Sequence, residues 1–205
     1  MPGGWRIAAT GEFSGGNQND LVLQHTDGSV AFWIMNGTTV LQKPVPYKIP
    51  TDWSIVGADD FNRDGQVDIV LQRTDGSVAF WLMKGTRIIE GREVPYKVPA
   101  GWQIIGTGNF NGDDHADIVL QNSDGAVAFW FLEGTRIVSG IEPYKLPPGW
   151  QIRACGDYDS DRNTDLVLSH EDGSVAIWLL DGTAIKAGSI VARLDDPGWE
   201  VTGPR

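Results

Sequence analysis

The sequence is short of the residues that would make a stapled, basic or helical protein. Its single cysteine, Cys155, excludes an intrachain disulfide. It follows a first strand, where a small buried filler is expected. Lys and Arg number 16 against 27 Asp and Glu, giving a net charge of −11 and an isoelectric point near 4.5. That deficit of positive charge argues against nucleic acid, which calls for a basic surface, and against anionic membranes. It suits a protein that collects cations. No apolar run is long enough to span a bilayer, so membrane insertion is not expected. Met1 to Trp5 carry no apolar stretch of signal-peptide type, so export would need a leader already removed or another route. No stretch keeps a helical period. His25, His115 and His170 share no spacing suited to a triad or a catalytic metal, and neither G-x-S-x-G nor H-E-x-x-H occurs. An enzyme is therefore not expected.

Tryptophan is abundant and regularly placed. Trp5, Trp53, Trp102, Trp150 and Trp199 lie 48 or 49 residues apart, and Trp33, Trp81, Trp130 and Trp178 keep the same spacing. A period of this length marks one structural unit copied along the chain. The copies are residues 5–52, 53–101, 102–149 and 150–198, and residues 199–205 open a fifth.

Each copy reads as four short strands rich in Val, Ile, Phe and Trp. In copy three they are expected at Trp102–Gly106, Asp117–Gln121, Val127–Leu132 and, more weakly, Arg136–Ile141. The second and third lack a polar face, so both sides should be buried against neighbouring sheets. Asp27-Gly28, Asp75-Gly76, Asp124-Gly125 and Asp172-Gly173 join them by tight hairpins. Four-stranded units of this length, each needing neighbours, predict an all-β fold: a β-propeller forming one domain over residues 1–205. A stacked-sheet solenoid would usually use shorter repeats. The fifth copy supplies a surplus first strand at residues 199–205, an edge that invites pairing with another chain. A four-bladed monomer, a homo-oligomer joined through that strand or completing a larger ring, and a longer array all remain compatible.

Between first and second strands lies a nine-residue polar loop. Copy two places Asp60, Asn62, Asp64, Gln66 and Asp68 at positions 1, 3, 5, 7 and 9. Copy three has Asn109, Asn111, Asp113, His115 and Asp117, and copy four has Asp157, Asp159, Asp161, Asn163 and Asp165. Alternate side chains of a tight loop point inward, and the position-7 carbonyl can join them. Such an oxygen cage suits a hard cation such as Ca²⁺. Asp, Asn and Gly also favour turns for their own sake, but carboxylates at this spacing repel one another without a cation. Copy one, with Glu12, Ser14, Gly16 and Asp20, lacks the position-5 carboxylate and is expected to bind weakly at best. A metal here would pin a loop and take no part in catalysis.

The segment from Asp60 to Gln72, D-F-N-R-D-G-Q-V-D-I-V-L-Q, followed by Asp75 to Thr86, resembles the FG-GAP or VCBS repeats of integrin-α-like and lectin-like propellers. The resemblance covers essentially the whole chain. It implies a propeller with calcium in the first inter-strand loop of copies two to four. It also implies an extracellular or cell-surface binding role, often toward carbohydrate. Copy one departs from the pattern, and rings of this type often have more blades than this chain has repeats.

The opposite face carries Tyr47-Lys48, Tyr96-Lys97 and Tyr144-Lys145, near Gln24, Gln72 and Gln121. Aromatic faces with amides and amines suit sugars, and repetition adds avidity. Tyr packed between blades with solvated Lys is the plainer reading of the same residues. The expected function is a calcium-stabilised, multivalent lectin for carbohydrate or glycoprotein. A protein-interaction, adhesion or scaffold module is the alternative.

Overall fold

The structure, a computed structural model, describes residues 3–195 and Val201. It contains strands and turns, with no helix among the described residues. Copy one forms β1 (Trp5–Gly11), β2 (Asp20–His25), β3 (Ser29–Asn36), β4 (Thr39–Gln42) and β5 (Tyr47–Lys48). Copy two forms β6 (Trp53–Asp59), β7 (Asp68–Arg73), β8 (Ser77–Lys84) and β9 (Arg87–Lys97). Copy three forms β10 (Trp102–Gly108), β11 (Asp117–Asn122), β12 (Ala126–Glu133) and β13 (Arg136–Lys145). Copy four forms β14 (Trp150–Gly156), β15 (Asp165–His170), β16 (Ser174–Asp181) and β17 (Ala184–Arg193). Each copy is one antiparallel sheet with its strands in sequence order, the blade of a β-propeller. The chain divides between Pro99 and Ala100 into two compact units, each of two blades.

The fourth strand is longer than the sequence pattern suggests. It runs on through Pro-Tyr-Lys to pair Lys97 with Ser77 and Lys145 with Ala126. Proline is tolerated there because the outer strand has no neighbour on its far side to accept an N–H. In blade one, Pro44 and Pro46 fall close together, and the strand breaks into β4 and β5, both paired with β3. The surplus first strand lies outside the described residues apart from Val201, which packs against the cluster of Ala154, Val167 and Val175.

The hairpin glycines have two reasons to be glycine. Gly76 holds φ at 85°, and a Cβ there would sit 2.3 Å from the Val98 carbonyl oxygen. The Val98 N–H in turn donates to the Gly76 carbonyl at 2.8 Å. The end of each outer strand thus docks on the hairpin backbone at a distance that only glycine permits.

Neighbouring blades within a unit are bolted through two side chains. Gln24 Nε2 donates to the Trp53 carbonyl at 2.8 Å, and the Ile55 N–H donates to Gln24 Oε1 at 3.0 Å. Gln121 repeats this with the Trp150 carbonyl at 3.1 Å and the Ile152 N–H at 2.9 Å. At the outer end, Tyr47 Oη donates to the Thr86 carbonyl at 3.0 Å and accepts from the Ile88 N–H at 2.9 Å. Tyr144 does the same with Thr183 and Ile185, at 2.7 and 3.1 Å. The rings of Tyr47 and Tyr144 pack on Trp81 and Trp178 at 5.5 and 5.6 Å. Apolar residues fill the space between, including Phe13, Phe32, Ile55 and Met83 in one unit and Phe110, Phe129, Ile152 and Leu180 in the other. Cys155 is half-buried at this junction, facing Gly106, where a Cβ would lie 2.5 Å from its Sγ.

Replacing Gln121 by Leu keeps the volume but strands a half-buried carbonyl and a buried N–H. Denaturant unfolding of Gln121→Leu is expected to show a loss of about 2–4 kcal/mol, the combined penalty for two groups left unpaired.

Candidate metal loops and the opposite face

The nine-residue loop is wound by its own backbone. Positions 4 and 6 take positive φ in every copy: Gly15 and Asn17, Arg63 and Gly65, Gly112 and Asp114, Ser160 and Arg162. This alternation turns successive amides inward. In copy two the Asp60 carboxylate accepts from the N–H of Asp64 at 3.1 Å and of Gly65 at 2.8 Å. In copy four Asp157 accepts from Asp161 at 3.1 Å and Arg162 at 2.9 Å. Position 5 accepts from the residue two further on: Asp64 from Gln66 at 2.9 Å, Asp113 from His115 at 2.8 Å and Asp161 from Asn163 at 2.8 Å.

Position 9 anchors the loop. Asp20, Asp68, Asp117 and Asp165 are each 0% exposed. Their Oδ1 atoms accept from the third-strand N–H of Met35, Met83, Leu132 and Leu180 at 2.8 to 2.9 Å. Oδ2 of Asp20, Asp117 and Asp165 accepts from Phe13, Phe110 and Tyr158 at 3.0, 3.0 and 2.8 Å. In copy two the Phe61 N–H turns instead to the Asp59 carbonyl at 3.1 Å, and Asp68 Oδ2 is buried with no hydrogen-bond partner. The aromatic at position 2 plugs the sheet beneath: Phe61 meets Phe80 at 4.8 Å and Phe110 meets Phe129 at 4.9 Å.

The electrostatics suit a divalent cation. Burial, with the charges of Asp64 and Asp60, pushes Asp68 up to about 6. Burial, with the charge of Asp113, pushes Asp117 up to about 6. A buried carboxylate beside other carboxylates resists ionising, and a bound cation relieves that resistance. The orphaned oxygen of Asp68 is one free ligand position. In copy four, ligand oxygens of Asp157, Asp159 and Asp165 lie within 4.8 Å of one another, a group able to coordinate a divalent cation. Asn109, Asn111 and Asp113 take the matching loop positions in copy three, with Asn111 Nδ2 donating to Asp113 at 2.8 Å.

Position 7 behaves differently. Gln66 Oε1 accepts from the Gly85 N–H at 3.2 Å, so this side chain braces the next turn and leaves only its carbonyl for the loop. His115 is half-buried. In copy one, Glu12 Oε1 accepts from the backbone N–H of Ser14 at 2.8 Å, of Gly16 at 3.1 Å and of Gly15. Slight burial pushes this carboxyl up, but the amides outweigh it and hold it low.

The sequence reading missed Lys186. Its Nζ reaches from β17 to within 2.7 Å of Asp161 and 3.4 Å of Asp159. That hydrogen bond holds Asp161 well below the usual carboxylate range. Copies one to three carry Leu41, Ile89 and Val138 at this position. The one lysine accompanies the most acidic loop, and that pairing is visible in the sequence.

On the opposite face the sugar candidates are engaged. Gln24, Gln121, Tyr47 and Tyr144 form the bolts between blades. Lys48, Lys97 and Lys145 pair with the hairpin carboxylates of Asp27, Asp75 and Asp124 at 3.2, 2.6 and 2.6 Å. Gln72 and Tyr96 hold the equivalent places on β7 and β9 and are half-buried.

Two outcomes are expected at the loops. Arg162→Gly matches Gly65 of copy two and relieves a left-handed non-glycine residue, so thermal unfolding should show a gain of about 0.5–1 kcal/mol. Lys186→Met removes an internal ammonium from the copy-four cage. Calorimetric titration should then show calcium binding there tightened about tenfold, equivalent to about 1.4 kcal/mol.

Among known proteins, residues 60–120 match the FG-GAP-like repeat family. No curated protein matches the chain. Solved structures with a similar course include BBS1N in complex with ARL6DN, soaked with mercury, at 16% identity over 91% of this chain and 53% of that one, with a TM-score of 0.43. The computationally designed Ika8 protein is similar at 16% identity over 96% of this chain and 51% of that one, with a TM-score of 0.41. The chain therefore spans about half the length of these structures. Residues 60–120 thus carry an FG-GAP-like repeat, and the four antiparallel sheets are those of a β-propeller.

Proposed function

We propose that this chain is a cation-braced module that binds a protein partner. The observation that carries the reading is the apolar character of the outer strands. In one unit Leu41, Val45 and Ile89 are 58%, 54% and 49% exposed. In the other, Ile141, Ile190 and Val191 are 42%, 64% and 53% exposed. Large apolar side chains left exposed along the outer edges of the blades favour a protein surface as their complement. The sugar reading draws its support from Tyr, Gln and Lys on the hairpin face, and most of those polar groups already serve the blades.

Calcium would be held by Asp60, Asn62, Asp64 and Asp68 in copy two, and by Asp157, Asp159, Asp161 and Asp165 in copy four. Asn109, Asn111, Asp113 and Asp117 would form a less charged site in copy three. Hard oxygen donors in this number suit calcium better than a transition metal. Its role is to fix the loops, and through the position-9 aspartates the third strands.

The test couples both halves. A photo-crosslinking residue at Ile190 is expected to give a discrete protein adduct in an extract of the source organism, retained in calcium and lost in EDTA. Calcium at a hundredfold excess over its dissociation constant should add about 2.7 kcal/mol to unfolding. A glycan-array signal competed by free monosaccharide, with no adduct, would return the assignment to a lectin acting outside the cell.

A further inference from the structure

The outer strand of blade four departs from the repeat. Its end docks as the others do: the Leu194 N–H donates to the Gly173 carbonyl at 2.8 Å, as Ile49, Val98 and Leu146 donate to Gly28, Gly76 and Gly125. That shared bond aligns the copies. Val191, Ala192 and Arg193 stand where the others carry Pro46-Tyr47-Lys48, Pro95-Tyr96-Lys97 and Pro143-Tyr144-Lys145. Ala192 has no hydroxyl with which to bolt a following blade, as Tyr47 and Tyr144 do. The bolt glutamine is gone as well: Gln24, Gln72 and Gln121 correspond to Ser169. Ser169 Oγ accepts instead from Arg153 Nε at 2.8 Å, an arginine where the other copies have Ala8, Val56 and Ile105.

The lost proline matters most. Its presence in three copies shows that the sheet needs no N–H at this position, and Val191 supplies one. The other outer strands carry devices that keep an edge from pairing. Blade one breaks around Pro44 and Pro46, β9 holds Glu90, Arg92, Glu93 and Pro95, and β13 holds Glu142 and Pro143. From Ala187 to Ala192, β17 has neither a charge nor a proline. It is the last strand of its sheet, it pairs with β16 from Ala184 to Arg193, and every one of its residues is exposed. Its two charges lie toward its ends. Lys186 is turned to the copy-four loop. The Arg193 side chain is 62% exposed, and the carboxylate of Asp195, 90% exposed, lies 3.8 Å from it.

We propose that an extended segment of the partner adds to β17 as an antiparallel strand, with an acidic residue of that segment opposite Arg193. The outward N–H and C=O groups of an edge strand recur at strand spacing, and another extended chain presents their complement at that spacing. Antiparallel addition continues the order of the sheet and is the more stable pairing. The uncharged run from Ala187 to Ala192 favours apolar neighbours on the added strand. The choice of charge follows from the rest of the chain, which is net −11. Glu90, Glu93 and Glu142 repel an acidic segment from β9 and β13, whereas β17 carries no carboxylate and ends in an accessible guanidinium. The inference rests on the proposed protein-binding role and names the conformation and charge of the partner segment.

The probe is the blocked peptide acetyl-Asp-Val-Thr-Val-Thr-Gln-amide, titrated into the full chain with calcium while the β17 backbone amides are followed by NMR. Saturable shifts are expected, with cross-strand Hα–Hα contacts between peptide and β17. The reversed peptide, acetyl-Gln-Thr-Val-Thr-Val-Asp-amide, moves the acid away from Arg193 and should bind about threefold more weakly, the worth of an exposed ion pair. Val191→Pro restores the residue of the other three copies and should keep the calcium-dependent thermal shift. It should bind the peptide about tenfold less well, the loss of one backbone hydrogen bond. Val191→Thr keeps the N–H and should bind as the parent chain does. Equal binding by Val191→Pro, or binding without the Hα–Hα contacts, overturns the inference. So does a chain that self-associates through the same amides without peptide, since a second copy is then the occupant. An Ile190 adduct that survives Val191→Pro would keep the protein-binding role and overturn this mode alone. Absence of the adduct from the parent chain, with the peptide results intact, would fault that role and leave the strand edge standing.

Discussion

The buried aspartate at the end of each acidic loop is the interaction on which the rest depends. Asp20, Asp68, Asp117 and Asp165 are removed from water and aimed at the third strand, whose N–H group each one accepts. An isolated buried carboxylate is costly, and its retention requires hydrogen bonds or a cation to stabilise the charge. Here one oxygen is committed to the sheet and the other faces the loop. The loop can be polar, tightly wound and rich in carboxylates because this residue fastens it to an apolar sheet. Phe61 and Phe110 complete the attachment from below, closing the space that the polar turn cannot fill.

Much of this was legible because it is local. The Trp period, the Asp-Gly hairpins and the nine-residue loop each express chemistry within a few residues, and the structure places β-hairpins and loops where they predict. The length of the fourth strand was not legible, since Pro95 and Pro143 read as strand breakers unless the strand is known to be an outer one. Nor was the work of Gln24 and Tyr47, whose partners lie 29 to 41 residues away on another blade. Their amide, hydroxyl and ring suit a sugar and a neighbouring backbone equally well, and only packing between copies decides.

Departures from the repeat proved more informative than the repeat. Lys186 replaces an apolar residue and answers the acidic loop 25 residues before it. Arg153 and Ser169 replace an apolar residue and a glutamine and answer each other. In both cases a charge enters where the pattern has none, together with a second change that accommodates it. Comparing copies within one chain exposes such pairs, because the other copies show what the position does by default.

The bolts themselves have a further consequence. Gln24 and Gln121 make the same two bonds to the same two positions of the following blade, with the backbone as their partner. A coupling that grips main chain carries no address: it holds any first strand of this pattern, whichever copy supplies it. Modules joined this way can be duplicated or recombined without redesigning the joint, and during synthesis the emerging copies compete for the same socket. Order along the polypeptide, rather than recognition between surfaces, is then what sets each blade beside its rightful neighbour.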